Sequence, residues 1–261
     1  MRWLRRRLRT KSIDLTKLEL ISEGPLDRLK DPSYLEHELL PRLGLNNDFL
    51  HQIPRRLHPH TGDRLLHWQV PNQFSKYLVK LAECRIESYL EIGIRHGGTF
   101  VITVEYLDRF HPVRRAVGID LGEPSPSLQQ YAASRPGVTV QKADSHSDDF
   151  EAFIRASEPF DLVLIDGDHS EEGCRADFEL VAPKSRIAVF HDIVSHPVPG
   201  VGNVWREVKE SHANDFDFFE YIDQYPVGEY PEGERDAGRE LFGIGVAISR
   251  RAQDTAPRAL S

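Results

Sequence analysis

Short apolar runs separated by segments of helical length constrain the fold of this chain more than any other feature. Most of these runs end at a glycine or an aspartate. The five runs are Ser88–Ile92, Ala116–Ile119, Val138–Val140, Phe160–Ile165 and Ile187–Phe190, and helices are predicted between them over Thr99–Leu107, Ser127–Ser134, Asp148–Ser157 and Glu171–Val181. Strands that alternate with helices predict an α/β fold, in which a doubly wound, mostly parallel sheet is covered on both faces.

The C-terminal part of the chain departs from this alternation. Phe216–Ile222 and Leu241–Ser249 are strand-like, and the link between them is rich in Pro, Gly and charge and has no helical period. Two strands that lack a helical crossover are predicted to be antiparallel neighbours. We therefore expect a seven-stranded sheet of Rossmann-like type with an antiparallel last strand.

The N-terminal part has a different pattern again. Prolines break residues 1–60 into short pieces, which predicts an arm followed by short helices. Apolar residues then recur at helical spacing from Asn72 to about Glu83, which predicts an amphipathic helix. We divide the chain into an N-terminal arm and helical extension (1–71), a ligand-binding α/β domain (72–250) and a flexible tail (251–261).

Charge is unevenly distributed along the chain. The net charge is −8, yet Met1–Lys11 holds five Arg and one Lys without an acid, so the body is strongly acidic. An acidic body argues against a nucleic-acid partner, because a nucleic-acid groove needs basic residues. The arm either contacts an anionic membrane surface or serves as a flexible or dimer-swapped tail. No apolar stretch approaches the roughly 20 residues of a membrane span.

Cysteine usage adds a prediction about the compartment. Cys84 and Cys174 are too few for a disulfide framework or a zinc site, and are predicted to be reduced thiols. Reduced thiols are typical of a cytoplasmic protein. The composition leaves the oligomeric state open, with a homodimer as one option.

A glycine-rich loop follows the first strand. The segment Glu91–Thr99 reads EIGIRHGGT and contains Gly93, Gly97 and Gly98. Glycines at a strand-to-helix turn let a ligand approach the backbone closely. The spacing differs from the Gly-x-Gly-x-x-Gly of pyrophosphate binders, and the charge of Glu91 favours a cationic ligand. An ordinary strand–helix turn is the alternative.

The next two strands end in polar residues that suit a nucleoside. Asp120 closes the second strand, where an acid is placed to accept hydrogen bonds from a ribose diol. Asp144 and Ser145 follow the third strand, and their side chains are candidates for contacts to an adenine ring. Helix capping is the alternative role for each of them.

The densest group of chemically active residues follows the fourth and fifth strands. Asp166, Asp168 and His169 follow the fourth strand, and His191 and Asp192 follow the fifth. Adjacent carboxylates are costly unless a cation or protons neutralise them. Asp166 and Asp192 are hard oxygen donors that suit Mg²⁺, whereas His191 suits Mn²⁺, Fe²⁺ or Zn²⁺ better. Asp168 and His169 are candidate proton acceptors, and a solvated acidic loop is the alternative.

Together these junctions resemble the class I S-adenosylmethionine-dependent methyltransferases. Glu91–Thr99 resembles their glycine-rich first motif, Asp120 the acid that holds the cofactor ribose, and Leu241–Ser249 their antiparallel last strand. The pairing of Asp166-Gly-Asp168-His169 with His191-Asp192 is similar to the macrocin- and mycinamicin-type sugar O-methyltransferases and to cephalosporin-biosynthesis methyltransferase-like proteins. The resemblance covers about Phe74–Ser249.

The resemblance implies both ligands and residue roles. S-adenosylmethionine would be bound by Glu91, Gly93, Gly97, Gly98, Thr99, Asp120, Asp144, Ser145 and Asp166. A Mg²⁺ ion would be held by Asp166, His191 and Asp192, where relatives have an acid in place of His191. The family's proposed base falls on Asp168, with His169 as the other candidate.

The implied reaction is methyl transfer to a hydroxyl of a sugar, a polysaccharide or a related polyhydroxylated metabolite. A catechol would also fit. The rest of the pocket is expected from Arg55–His67, His196–Val204 and Tyr225–Tyr230. Three alternatives are a nicotinamide-dependent oxidoreductase, a metal-dependent hydrolase and a non-catalytic cofactor-binding protein.

Overall fold

The computed structural model describes residues 10–48, 50–231 and 240–250, and it contains a seven-stranded sheet in the order β3-β2-β1-β4-β5-β7-β6. The strands are β1 Ser88–Ile92, β2 Arg115–Asp120, β3 Val138–Lys142, β4 Phe160–Ile165, β5 Ser185–His191, β6 Phe216–Tyr221 and β7 Ile244–Ser249. Strands β1 to β5 are parallel, and β7 runs antiparallel to both β5 and β6. The predicted fold class and the antiparallel end of the sheet are confirmed.

In the described part of the chain, six longer helices surround the sheet. They are α1 Pro71–Ala82, α2 Gly98–Asp108, α3 Pro126–Ser134, α4 Asp148–Ala156, α5 Glu171–Val181 and α6 Pro199–Ser211. All but α6 begin and end close to the predicted bounds. The start of α6 contains Pro199, Gly200 and Gly202, which disfavour a helix prediction. The helical period is nevertheless present in its buried residues, which are Val201, Val204, Trp205 and Val208. This period indicates the helix in spite of the glycines.

The sheet has an apolar core on each face because side chains alternate along its strands. Tyr89 packs on the side of α1 and α2, where it stacks on Phe100 with ring centroids 5.7 Å apart. Leu90, the next residue, lies in the second core with Phe190 and Trp205. Burying each such side chain contributes about 1.5–3 kcal/mol, so both faces stabilise the sheet.

The N-terminal extension packs directly on the first of these cores. It consists of short helical segments at Leu15–Leu18, Glu19–Ser22, Leu26–Leu29, Pro32–Tyr34, Leu35–Leu39, Leu40–Leu43, Leu50–Gln52 and Arg55–His60. Ile21, Leu29 and Leu35 are fully buried in the core that holds α1 and α2. Tyr106 of α2 donates a hydrogen bond to the carbonyl of Leu29 at 2.7 Å. The extension is therefore an integral layer over one end of the sheet.

Two predictions concern the thiols and the membrane. Cys84 and Cys174 are free thiols, as predicted, and burial raises the pKa of both. Among the described residues no helix is long and apolar enough to cross a membrane. Most of the basic arm (1–9) and the whole tail (251–261) lie outside the described residues.

Candidate active site

A cavity of about 640 Å³ opens at the carboxyl edge of the sheet, beneath the N-terminal extension. The predicted site residues that line it are Glu91, Gly93, Gly98, Thr99, Asp120, Asp144, Ser145, Asp166, Asp168, His169 and Asp192. Gly97 and His191 do not line it. The structure therefore gathers nearly all of the predicted residues into one space, because parallel strands end at the same edge.

Glu91 is a buried carboxyl at the end of β1. It is 1 % exposed and accepts a hydrogen bond from the hydroxyl of Tyr89 at 2.5 Å. Burial raises the pKa of Glu91 well above its usual range, the Tyr89 hydrogen bond offsets only part of this, and the charges of Asp166 and Asp120 add to the rise. A cation brought to this position would favour the charged carboxylate.

The glycines of the loop serve contacts between protein segments. Gly93 has a φ of +94°, and a Cβ there would lie 2.2 Å from the carbonyl oxygen of Asp166. A Cβ on Gly98 would lie 2.2 Å from the carbonyl oxygen of Leu65. Gly93 and Gly98 thus let β4 and the N-terminal extension approach the loop, and both also line the cavity.

Asp120 is held rigidly at the end of β2. One carboxylate oxygen accepts the backbone N–H of Arg95 at 2.7 Å, and the other accepts the N–H of Gly122 at 2.8 Å. Each oxygen keeps further lone-pair capacity. Asp120 is thus oriented to accept additional hydrogen bonds from a ligand in the cavity.

The loop after β3 contains the residues expected to contact an adenine ring. It also covers a buried acid that no sequence motif identifies. Asp144 is exposed and accepts the N–H of His146 at 3.0 Å, and Ser145 is half-buried. Beneath them Asp177 of α5 is fully buried, 3.3 Å from Nε2 of His146. Burial raises the pKa of Asp177 to about 6. Its place on the apolar face of α5, with Cys174 and Phe178, was the available signal.

Asp166, His169 and Asp192 form a compact cluster on the cavity wall. Their potential ligand atoms lie within 4.8 Å of one another. Nε2 of His169 is 3.3 Å from Asp166 Oδ1, and its Nδ1 is 2.9 Å from Asp192 Oδ2. Burial opposes a charge on His169, but the two carboxylates outweigh it and raise the pKa of His169 well above its usual range. The imidazolium therefore offsets one of the two carboxylate charges in this arrangement.

The donor set of this cluster fits a divalent cation. Two carboxylates suit Mg²⁺, and the imidazole suits Mn²⁺, Fe²⁺ or Zn²⁺. Asp192 Oδ1 is buried and has no hydrogen-bond partner among the described residues. Asp192 also has a φ of +68°, a strained conformation typical of functional sites. A buried oxygen without a partner is costly unless a ligand completes it.

His191 lies behind the cluster rather than in the cavity. It is 1 % exposed, and its ring centroid lies 5.9 Å from that of Phe242. Its Nδ1 is 3.0 Å from Asp166 Oδ1. His191 therefore contacts Asp166 from the protein side, which is the usual place for a residue that orients a ligand. The cluster seen in the structure contains His169 where the predicted ligand set has His191.

Asp168 precedes α5, and its side chain lies against the first turn of that helix. Its Oδ1 accepts the N–H of Ser170 at 2.9 Å, and a Cβ on Gly173 would lie 2.4 Å from its carboxyl carbon. The carboxylate of Asp168 thus covers the start of the helix while it lines the cavity. The helix cap itself is Ser170, whose side chain accepts the N–H of Gly173.

The remaining wall comes from three other segments. Asn46, Gln52, Leu66 and Trp68 belong to the extension, Ser195, Pro197 and Val198 to the loop after β5, and Phe242 to the segment before β7. The expected contributions of Arg55–His67 and His196–Val204 are realised only in part. Tyr225 and Tyr230 do not line the cavity and are buried in an apolar cluster with Leu45 and Phe242.

Comparison with known proteins finds similarity in the central part of the chain. Residues 90–193 match the family model described as a methyltransferase domain. No curated protein sequence matches the chain. Among solved structures, the O-methyltransferase TomG from Streptomyces achromogenes in complex with SAM is 22 % identical, with 69 % of this chain and 80 % of TomG covered and a TM-score of 0.46.

Two further structures have similar scores. MycE methyltransferase from the mycinamycin biosynthetic pathway, in complex with Mg, SAH and mycinamycin VI, is 16 % identical, with 75 % of this chain and 53 % of MycE covered and a TM-score of 0.44. Cofactor-bound Rv0187 from MTB is 20 % identical, with 70 % of this chain and 82 % of Rv0187 covered and a TM-score of 0.49. The matched segment 90–193 runs from β1 to just past the end of β5 and contains every predicted site residue, so the match to a methyltransferase domain covers the whole candidate site.

Proposed function

We propose that this protein is an S-adenosylmethionine-dependent O-methyltransferase that acts on a hydroxyl of a sugar, a polysaccharide or a related polyhydroxylated metabolite, with the help of a divalent metal ion. The observation that carries the proposal is that Asp166, His169 and Asp192 lie in the same cavity as the Glu91–Thr99 loop and Asp120. A cofactor site and a candidate metal site thus share one space. Its volume of about 640 Å³ is within the range of small-molecule pockets.

The first half of the cavity suits the methyl donor. S-adenosylmethionine, when bound, supplies a methyl group on a positively charged sulfur. The buried carboxyl of Glu91 favours a cationic ligand, and Asp120 is fixed by two backbone amides to accept hydrogen bonds from a ribose diol. Asp144 and Ser145 line the part of the cavity nearest to β3, where we place the adenine ring.

The second half of the cavity suits an acceptor hydroxyl. A divalent ion bound there would lower the pKa of that hydroxyl. Asp166 and Asp192 would hold the ion, and His191 would orient Asp166 from behind. Mg²⁺ is the first candidate because of the two carboxylates, and Mn²⁺, which also accepts carboxylate ligands, is the second.

His169 and Asp168 are the two candidates for the proton acceptor. His169 faces the cavity between two carboxylates, whereas the Asp168 carboxylate lies against the first turn of α5. Because the pKa of His169 is raised, its ring must lose its proton before it can accept one from the substrate. On its position we favour His169.

The proposal is tested by binding and then by turnover. Calorimetric titration of the purified protein with S-adenosylhomocysteine (SAH), the demethylated form of the cofactor, should show binding at one site. Titration with Mg²⁺ or Mn²⁺ should show binding at a second site. SAH release from S-adenosylmethionine is then followed with a panel of glycosides, sugar nucleotides and catechols. Asp166→Ala should abolish metal binding and turnover, and Asp192→Ala, at a residue assigned to the metal alone, should do the same and leave SAH affinity within about threefold.

Each part of the proposal has its own contrary result. If the wild-type protein does not bind SAH, the cofactor assignment is wrong. If Asp166→Ala keeps its activity in the presence of EDTA, the metal role is wrong. SAH binding without turnover on any acceptor class would favour the non-catalytic alternative. The methyltransferase-domain match already argues against a nicotinamide-dependent oxidoreductase and a metal-dependent hydrolase.

A further inference from the structure

Asp48 of the N-terminal extension joins three segments of the chain. Its Oδ1 is 2.6 Å from Nζ of Lys11, and its Oδ2 is 2.6 Å from a guanidinium nitrogen of Arg95 and 3.2 Å from Nε2 of His96. Arg95 and His96 belong to the glycine-rich loop and line the cavity, whereas Asp48 lies outside it. Partial burial opposes the charge of Asp48, but Lys11 and Arg95 outweigh it and hold its pKa below the usual range.

The ring of His96 fixes the direction of these hydrogen bonds. His96 is 2 % exposed, and burial together with the charge of Arg95 lowers its pKa to about 4. The ring is therefore neutral at neutral pH. Since its Nδ1 accepts the backbone N–H of Lys11 at 3.0 Å, its proton is on Nε2, which donates to Asp48.

Arg95 connects this ion cluster to the acid that faces the cavity. Its φ of +47° lies in the left-handed region, which is costly for a residue with a Cβ. In that conformation its N–H donates to Asp120 at 2.7 Å while its side chain reaches Asp48. Its guanidinium also lies 5.1 Å from the ring centroid of Trp68. These side-chain contacts from the extension offset the cost of the strained backbone.

We propose that Asp48 is a positioning residue for cofactor binding, which acts by holding Arg95 in the conformation that fixes Asp120. The inference rests on the proposed function, because that function assigns Asp120 to the cofactor ribose. It gives the N-terminal extension a part in the cofactor site, although all the residues assigned to that site belong to the segment 90–193.

The test compares SAH affinities by calorimetry, well below the melting temperature of each variant. Asp48→Asn should weaken SAH binding about tenfold, since it removes charge-assisted hydrogen bonds to Arg95. Asp48→Glu, which keeps the charge, should recover most of that loss. Asp63→Asn is the matched control on the same extension, because Asp63 is exposed and only pairs with Arg64 at 3.6 Å.

A double-mutant cycle tests the route through Arg95. Arg95→Gln should weaken SAH binding by itself, and Asp48→Asn should add little in that background. An equal loss in both backgrounds would overturn the inference, as would unchanged affinity in Asp48→Asn. If Asp48→Asn does not fold, Arg95→Gln carries the test, and unchanged SAH affinity there overturns the inference. Failure of the wild-type protein to bind SAH would instead reject the proposed function.

Discussion

The two halves of the carboxyl edge of the sheet satisfy their polar groups differently. At the end of β2 both oxygens of Asp120 are bonded to backbone amides, and at the end of β1 Glu91 is bonded to Tyr89. At the end of β5, Asp192 Oδ1 is buried without a partner among the described residues. Buried polar atoms normally have partners, so the first half is preformed and the second half needs a ligand to complete it.

The largest expected effect separates the two candidate bases in the second half. His169→Gln should lower kcat about a thousandfold, within the range of general acid–base catalysis. Asp168→Asn should lower it less than about tenfold, because Asp168 contacts the helix start. Initial rates of SAH release over a pH series measure both. If Asp168→Asn lowers kcat more than His169→Gln does, Asp168 is the proton acceptor.

The next prediction concerns the contact between the two halves. Gly93→Ala should reduce the free energy of unfolding by about 4 kcal/mol, because it combines a positive φ with overpacking against the next strand. The added Cβ would lie 2.2 Å from the Asp166 carbonyl oxygen, whereas a Cβ on Gly228 would meet nothing within 4 Å. In urea denaturation, the free energy of unfolding of Gly228→Ala should be close to that of the wild type. Equal stability of the two variants would contradict the packing role of Gly93.

Asp177 lies beneath the boundary between the halves and predicts a pH dependence. Its pKa is raised by burial to about 6 in the folded protein, from 3.8. The protonated form is favoured by folding, so its stabilisation is present below pH 3.8 and is lost as pH rises through 6. That loss is about 3 kcal/mol.

Urea denaturation at about pH 3 and pH 7 tests this pH dependence. Asp177→Asn lacks the titrating carboxyl, so relative to wild type it should gain about 3 kcal/mol between the two pH values. The other groups titrate alike in both proteins and cancel in this comparison. Parallel pH profiles for Asp177→Asn and wild type would show that Asp177 does not titrate in this range.

The smallest expected effect tests where a cation binds. Mn²⁺ or Mg²⁺ at a hundredfold excess over its dissociation constant should stabilise the folded protein by about 2.7 kcal/mol. Asp192→Asn should remove this stabilisation and Asp120→Asn should keep it, as followed by thermal denaturation. If Asp120→Asn alone loses the stabilisation by the cation, the cation binds in the first half, and the proposed difference between the two halves is wrong.

Much of the fold was predictable because its signals are local. Runs such as Phe160–Ile165 are apolar and short enough for buried strands, and the segment Glu171–Val181 has a helical apolar period. Helix α6 was missed because its glycines and proline masked that period. The apolar helix face indicates that Asp177 is buried, but no residue pattern shows that the loop after β3 covers it.

The sequence by itself determined that the candidate residues meet at one edge, since each follows a strand of a parallel sheet. Only the tertiary structure decided that His169 faces the carboxylates from the cavity while His191 packs behind Asp166 against Phe242. The same is true of the link from Asp48 to Arg95. Side-chain directions and contacts between distant segments depend on strand pairing and packing, which no local pattern of residues encodes.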